Sequence, residues 1–488
     1  MNTDAPWPDA DTGWWRVQKI QTKLHQWAID DPDRRFDDLW NLVYDPAVLA
    51  DAWHRVRSNR GARSAGVDGE TAYYVSVVRG EQAFLSELRD ELKARRFQPV
   101  AVREVMIPKL GGKRRRLGIA TVRDRVVQAA LKTVLEPIFE ADFKPCSYGF
   151  RPNRRAQDAI TEIHYFVSSP RNYQWVLECD IKACFDEISH TALTDRLRAR
   201  IKDKRICALV KAFLKSGVLT ELGDREETLT GTPQGGILSP LLANIALSAL
   251  DEHFDRQWHS EMSTGPQRAK RRRNGQGNWR LVRYADDFVL MVFGDRHHAE
   301  ALREEVSAVL APLGLRLAPE KTRVVHVDEG FTFLGFDIRR MRKRGTSKYY
   351  VYTKPSRKAI ASIKDKAKAK TYRSTLHMDL DELILSLNRS LTGWANYFRH
   401  GSSKATFSAV DYFAWGRLMR WIRAKYAGKT GLSMKELRRR FCDQGWRFAW
   451  NGVELTGASS VAVTRYRYRG STIPTPWTPT PAAADPGG

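Results

Sequence analysis

Cysteine is scarce in this sequence and never paired. Cys146, Cys179, Cys184, Cys207 and Cys442 are scattered over 488 residues with no C-x-x-C spacing. An odd, dispersed set excludes a disulfide framework and a cysteine-rich zinc site, and fits buried thiols in a reducing cytoplasm. Long apolar runs are missing as well. The best, Phe288 to Phe293, covers six residues, against the ~18 of a membrane span. The opening MNTDAPWPDADTG has neither the basic flank nor the apolar stretch of a signal peptide, so a cytoplasmic protein without a membrane partner is expected. Acidic residues are in deficit: 56 Asp and Glu face 81 Lys and Arg, a net charge of +25. Such charge points to a polyanionic partner, nucleic acid first and an anionic membrane surface second.

What is present is a folded, multi-domain composition. At roughly 150 residues per domain the length implies about three domains, and 42% apolar residues suffice for buried cores. Basic clusters recur along the chain, at Lys113–Arg116, Arg268–Arg273, Arg339–Arg344, Arg357–Lys370 and Arg438–Arg440. That distribution favours a long groove tracking a phosphate backbone. Ser260–Asn278 reads as an inserted basic loop. From Ser471 onward five prolines predict an extended or disordered tail.

Mixed α and β structure is expected. Leu380, Leu383, Ile384, Leu387, Leu391 and Trp394 repeat with helical spacing. Tyr412, Trp415, Met419, Ile422 and Tyr426 form a similar stripe, with Arg417, Arg420, Arg423 and Lys425 elsewhere on the circumference.

Four segments carry chemistry. RLVRYADDFVLMVFG (280–294) reads as a hairpin with Asp286 and Asp287 at its tip. Carboxylates held between apolar strands require a compensating cation, and hard Mg²⁺ prefers oxygen ligands. YQWVLECD (173–180) reads as a strand ending in Asp180, followed by a helix capped by Ser189. Three such carboxylates form the constellation that two-metal phosphoryl transfer requires. GTPQGGILSPLLANIALSAL (231–250) combines a Gly-rich turn with Gln234 and a helix started by Ser239-Pro240. VMIPKLGGKRRRLGIATVRDR (105–125) reads as a hairpin turning at Leu110-Gly111-Gly112. Its lysines and arginines suit a triphosphate.

Taken in chain order (the basic hairpin, the strand ending in Asp180 with Phe185 after it, Pro-Gln-Gly, then Tyr-Ala-Asp-Asp), the four segments resemble reverse transcriptases, and most closely group II intron-encoded reverse transcriptase/maturases of the bacterial type. NRGARSAGVDGET (59–71), the fingers segments 107–141 and SYGFRP (147–152), LRLAPEK (315–321), FTFLGF (331–336) and LNRSLTGWANYFRH (387–400) extend the likeness over roughly residues 40 to 470. The resemblance implies an α+β right-hand polymerase with fingers and palm, followed by an α-helical thumb/maturase domain. The expected divisions are an N-terminal extension and start of fingers (1–78), fingers and palm (79–340), thumb/maturase (341–450), and a C-terminal DNA-binding remnant with a disordered tail (451–488).

The resemblance also implies roles. Asp180, Asp286 and Asp287 match the catalytic carboxylates, holding two Mg²⁺ together with the backbone carbonyl of Ile181. Lys109, Arg116, Phe185, Gln234 and Lys321 match positions around the dNTP, with Phe185 excluding the ribose 2′-hydroxyl. Lys113, Arg114, Arg115, Arg417, Arg420, Arg423 and Lys425 are the expected RNA contacts. The implied partners are a group II intron RNA and a target DNA or primer strand, the protein associating with the nucleoid when on DNA. The implied activity is RNA-directed DNA synthesis with splicing assistance and target-primed copying of the intron during retrohoming.

Two features depart from the family. Its HNH-type DNA endonuclease uses histidine and paired cysteines, yet only Cys442 lies beyond residue 207. A form without that domain is expected, priming from a nascent strand at a replication fork. The basic segment before YADD is also longer than the family pattern. Two other readings compete. Retention of all three carboxylates counts against a purely RNA-binding splicing factor. A domesticated enzyme of DNA repair, phage defence or spacer acquisition would have the same palm, and genomic context separates the two.

Overall fold

Alternation of side chains along the strands explains the centre of the molecule. In the computed structural model, which describes residues 7–108, 114–427, 433–443, 447–470 and 472–478, the chain forms β1 (Val102–Pro108), β2 (Arg114–Ile119), β3 (Trp175–Asp180), the short β4 (Val218–Leu219) and β5 (Arg225–Glu226), then β6 (Asn278–Tyr284), β7 (Asp287–Phe293) and β8 (Arg323–His326). The palm sheet has the order β6-β7-β3-β8, antiparallel throughout. Successive residues point to opposite faces. Leu177, Cys179, Phe288 and Leu290 join one apolar core, while Val176, Val289 and Met291 join another. A sheet covered on both faces reads as a continuous apolar run, which is why β7 has no polar alternation.

The first core also takes in the N-terminal helices. Ala10–Asp30 and Pro46–Ser58 pack on the long helix Val122–Asp142. The Arg16 guanidinium pairs with the fully buried Asp45 at 2.5 Å. The fingers sheet has the order β2-β1-β4-β5. β1 and β2 form the expected hairpin, and β4 adds in parallel to β1. The hairpin's expected turn, with Lys109 and Lys113, lies outside the described residues.

The second core joins the palm to the helical region. β9 (Phe331–Phe333), β10 (Phe336–Arg342) and β11 (Tyr349–Pro355) form an antiparallel sheet leading into helices Arg357–Lys370, Leu380–Phe398 and Lys404–Ile422. The stripe from Leu380 to Leu391 is buried as its periodicity requires. The second stripe is not a uniform core face. Met419 and Ile422 are buried, but Tyr412 is 82% exposed, and Phe407, Val410, Ala414 and Leu418 do the packing. No described helix is long and apolar enough to cross a membrane. The five cysteines are free, four of them buried.

Two segments depart from expectation. The basic insertion is not simply a loop: Gly265–Arg273 is a helix started by a Thr264–Gln267 capping box. Its Arg268, Arg271 and Arg272 lie over Trp258, Trp279 and Phe293, so aromatic faces anchor the cationic stretch. The proline-rich end has no helix or strand over 472–478, yet Ile473 and Trp477 are buried. The chain straps back across the molecule. Arg469 pairs with Asp158 at 2.6 Å, Tyr468 stacks on Tyr165, and the Trp477 indole reaches Gln21 of the first helix.

Candidate active site

The YADD turn is tight because of its register. Tyr284 pairs with Asp287, leaving Ala285 and Asp286 as the two-residue connection, with Ala285 at φ +58. This left-handed conformation is uncommon for a residue with a side chain. A buried clamp holds it. Arg283, fully enclosed, donates from Nη1 to the Ala285 carbonyl at 2.8 Å and to Asn244 Oδ1 at 3.0 Å. Its other nitrogens bind Asp251 Oδ1 at 2.7 Å, Asp251 Oδ2 at 2.5 Å and Ser147 Oγ at 2.7 Å. Sequence reasoning passed over Arg283, Asp251 and Asn244. The available signal was Arg283 between apolar neighbours and directly before the Tyr-Ala-Asp-Asp turn, where a buried arginine demands a buried partner.

The same register brings the carboxylates together. Asp180 at the end of β3 is directly opposite Asp287 at the start of β7, and Asp286 is adjacent in the turn. Burial first, and then the charge of Asp180, push the Asp286 carboxyl up. Asp287 is pushed up to about 6 by burial, then by the charges of Asp286 and Asp180, although its outer edge meets solvent. Lys321 Nζ is 2.8 Å from Asp180 Oδ2. Past β3, Lys182 N–H donates to the Arg316 carbonyl and Ala318 N–H to that of Asp180. These bonds bracket Ile181, so its own carbonyl takes no part in that bridge.

Asp180, Asp287 and Lys321 line a cavity of about 520 Å³ that also meets Arg323, Leu334 and Lys358. The clustered carboxylate oxygens are the donor type a hard divalent cation prefers, with Lys321, Arg323 and Lys358 supplying positive charge on the same cavity wall. A tighter trio of possible ligands lies elsewhere, at Asp295, His297 and His298. There His298 Nδ1 accepts the Asp295 N–H and Nε2 contacts the Gly275 carbonyl. That geometry is a helix cap rather than a metal centre.

Around the carboxylates stand the other expected residues. Phe185, half-buried, follows β3, and its carbonyl accepts the Thr232 N–H at 2.6 Å. Gln234 contacts Asp186, and its backbone carbonyl accepts the Gly118 N–H of β2 at 2.8 Å. Gly231 (φ +79) and Gly235 (φ +109) make this approach possible, since a Cβ at Gly231 would meet the Phe185 carbonyl oxygen at 2.5 Å. Arg116 is paired with Glu104 and Glu226, each at 2.6 Å. Arg114 is exposed at the start of β2, and the charge of Arg115 acts on Asp286.

The four thumb cations do not form one free face. Arg417 binds the hydroxyl and carbonyl of Thr371, and Lys425 binds the Met378 carbonyl beside the Trp421 ring. Arg417 thus ties its helix to the end of Arg357–Lys370, and Lys425 reaches the turn before Leu380–Phe398. Arg420 and Arg423 are exposed.

Comparison with known proteins agrees with this geometry. Residues 107–338 match the family "Reverse transcriptase (RNA-dependent DNA polymerase)". Residues 360–441 match "Group II intron, maturase-specific domain". The chain is 37% identical over 364 residues to Protein YkfC of Escherichia coli (strain K12), covering 70% of this chain and 93% of that protein. It is 31% identical over 464 residues to Group II intron-encoded protein LtrA of Lactococcus lactis subsp. cremoris, covering 81% and 75%. A further relative, the uncharacterized 91 kDa protein in cob intron of Schizosaccharomyces pombe, is 28% identical over 82% of this chain and 56% of its own length. With its palm carboxylates and its two matched domains in order, the chain belongs to the group II intron reverse transcriptase/maturase family and is an RNA-directed DNA polymerase.

Proposed function

We propose that Asp180, Asp286 and Asp287 are the catalytic carboxylates and that, with the Ile181 carbonyl, they hold two Mg²⁺. The observation that carries this reading is the register pairing Asp180 with Asp287 beside Asp286. Bound there, the two ions would lower the pKa of the attacking primer hydroxyl and offset charge on the phosphorus and the leaving oxygen. The chain's own residues orient the reactants. Phe185 closes the space a ribose 2′-hydroxyl would need. Arg116, with Lys109, holds the dNTP triphosphate, and Gln234 packs near the nascent pair. Lys321 sits beside Asp180, where pyrophosphate departs.

The same reading assigns a group II intron RNA as partner, with splicing assistance and target-primed copying of the intron into DNA. The maturase-specific match supports it, as does likeness to LtrA, named as intron-encoded. Arg114, Arg115, Arg420 and Arg423, together with Lys113, neutralise RNA phosphates.

Primer extension by Asp286→Asn tests the chemistry. Extension is expected to vanish while RNA binding persists, and unchanged extension rejects the metal assignment. The RNA that co-purifies with the protein tests the partner. A lariat intron supports the maturase reading, and its consistent absence favours a domesticated enzyme.

A further inference from the structure

The Pro-Gln-Gly loop is stitched to the turn after β3 by backbone bonds. Thr232 N–H donates to the Phe185 carbonyl at 2.6 Å and Gly231 N–H to the Ile188 carbonyl at 2.8 Å. The Thr230 hydroxyl donates to the Asp186 carbonyl at 2.9 Å. One side-chain pair completes the join: Gln234 Nε2 lies 3.0 Å from Asp186 Oδ1 and 2.8 Å from Oδ2.

That pair has a chemical consequence. A carboxylate only accepts hydrogen bonds, so the glutamine must present its NH₂ to Asp186, and its Oε1 is turned away. An unrestrained amide can offer donor or acceptor by rotating half a turn. Asp186 removes that choice. It follows Phe185 directly in the chain, and its charge also acts on Arg116. One residue expected around the nucleotide, Gln234, is thus bonded to a carboxylate that follows another, Phe185, and lies outside the catalytic trio.

We propose that Asp186 is a positioning residue for nucleotide binding: it fixes the Gln234 amide so that Oε1 is a permanent acceptor facing the incoming nucleotide. This rests on the polymerase reading above and adds a residue to it. With Asp186 removed, Gln234 spends part of its time presenting its NH₂ to the nucleotide hydrogen that Oε1 should receive. Affinity for the nucleotide falls, while the carboxylates that carry the chemistry are untouched.

Single-nucleotide incorporation on a primed RNA template, with the full chain, tests this. Asp186→Ala is expected to raise the dNTP KM about tenfold with kcat within about twofold of wild type. Asp186→Asn, which retains an acceptor oxygen, is expected to recover much of the loss. Gln234→Ala should lose at least as much as Asp186→Ala, and the double variant should lose no more than Gln234→Ala alone. Additive losses in the double variant, equal losses in the Asn and Ala variants, or a loss confined to kcat would overturn the proposal. A wild-type chain that incorporates nothing overturns the polymerase reading itself and this inference with it.

Discussion

The Lys321 ammonium lies 2.8 Å from Asp180 Oδ2 and is the one cation in ion-pair reach of the three palm carboxylates among the described residues. On the proposed two-metal reading, this protein cation and a divalent metal would compete for the same oxygen. Replacing Lys321 by Gln leaves the carboxylates facing chiefly one another, which favours a metal. Half-saturating Mg²⁺, read from thermal melts over a Mg²⁺ series, is expected to fall roughly threefold to tenfold. Identical Mg²⁺ dependence in the two proteins would show that no such competition exists.

Phe185 is held in place by its backbone, since the Thr232 N–H locks its carbonyl at 2.6 Å. Truncating the ring therefore opens space without moving the turn. Phe185→Ala is expected to raise the rNTP-to-dNTP incorporation ratio by at least about tenfold. Competition assays with the two nucleotide types measure it, and an unaltered ratio removes the steric role.

These residues were legible in the sequence because each sits in a short local pattern: a strand ending in Asp180, a Gly-rich turn around Gln234, an Asp pair between apolar runs. Hairpin signals are local too, so both strand pairs were expected and are present. What stayed hidden depends on contacts distant along the chain. Arg283 finds Asp251 over 32 residues. Trp477 finds Gln21 over 456, so a proline-rich stretch with no periodicity becomes an ordered strap. The stripe around Tyr412 failed because helical spacing identifies a face but not which face meets a neighbour. The partners of the thumb cations were hidden for a related reason. Arg417 and Lys425 look like solvated charge in sequence, whereas carbonyls on neighbouring segments claim them.

Arg116 bridges Glu104 of its own hairpin and Glu226 of β5. Burial works to lower its pKa, but the bond to Glu226 and the charges of Glu104, Glu226 and Asp186 raise it overall. In the proposed triphosphate role, a bound nucleotide would have to draw the guanidinium away from these acids. Glu226→Gln weakens one hold on a partly exposed pair, so the dNTP KM is expected to fall by roughly twofold to fivefold. Arg116→Ala should raise it. Steady-state kinetics decide, and a higher KM in Glu226→Gln would assign Arg116 a purely structural part.

The Arg283–Asp251 pair lies wholly inside the protein, with both side chains 0% exposed. Asp251→Ala would strand the guanidinium without its counter-charge and is expected to cost about 3–5 kcal/mol in urea unfolding. Loss of activity in that variant would not separate fold from function. The double replacement Arg283→Met with Asp251→Leu does separate them, because an apolar pair of similar volume avoids the stranded charge. Stability should then return to within about 1–2 kcal/mol of wild type. Primer extension should remain well below wild type, since no donor reaches the Ala285 carbonyl to hold the turn that carries Asp286. Full recovery of both would mean that the hairpin register alone places the carboxylates and that the arginine serves only the core.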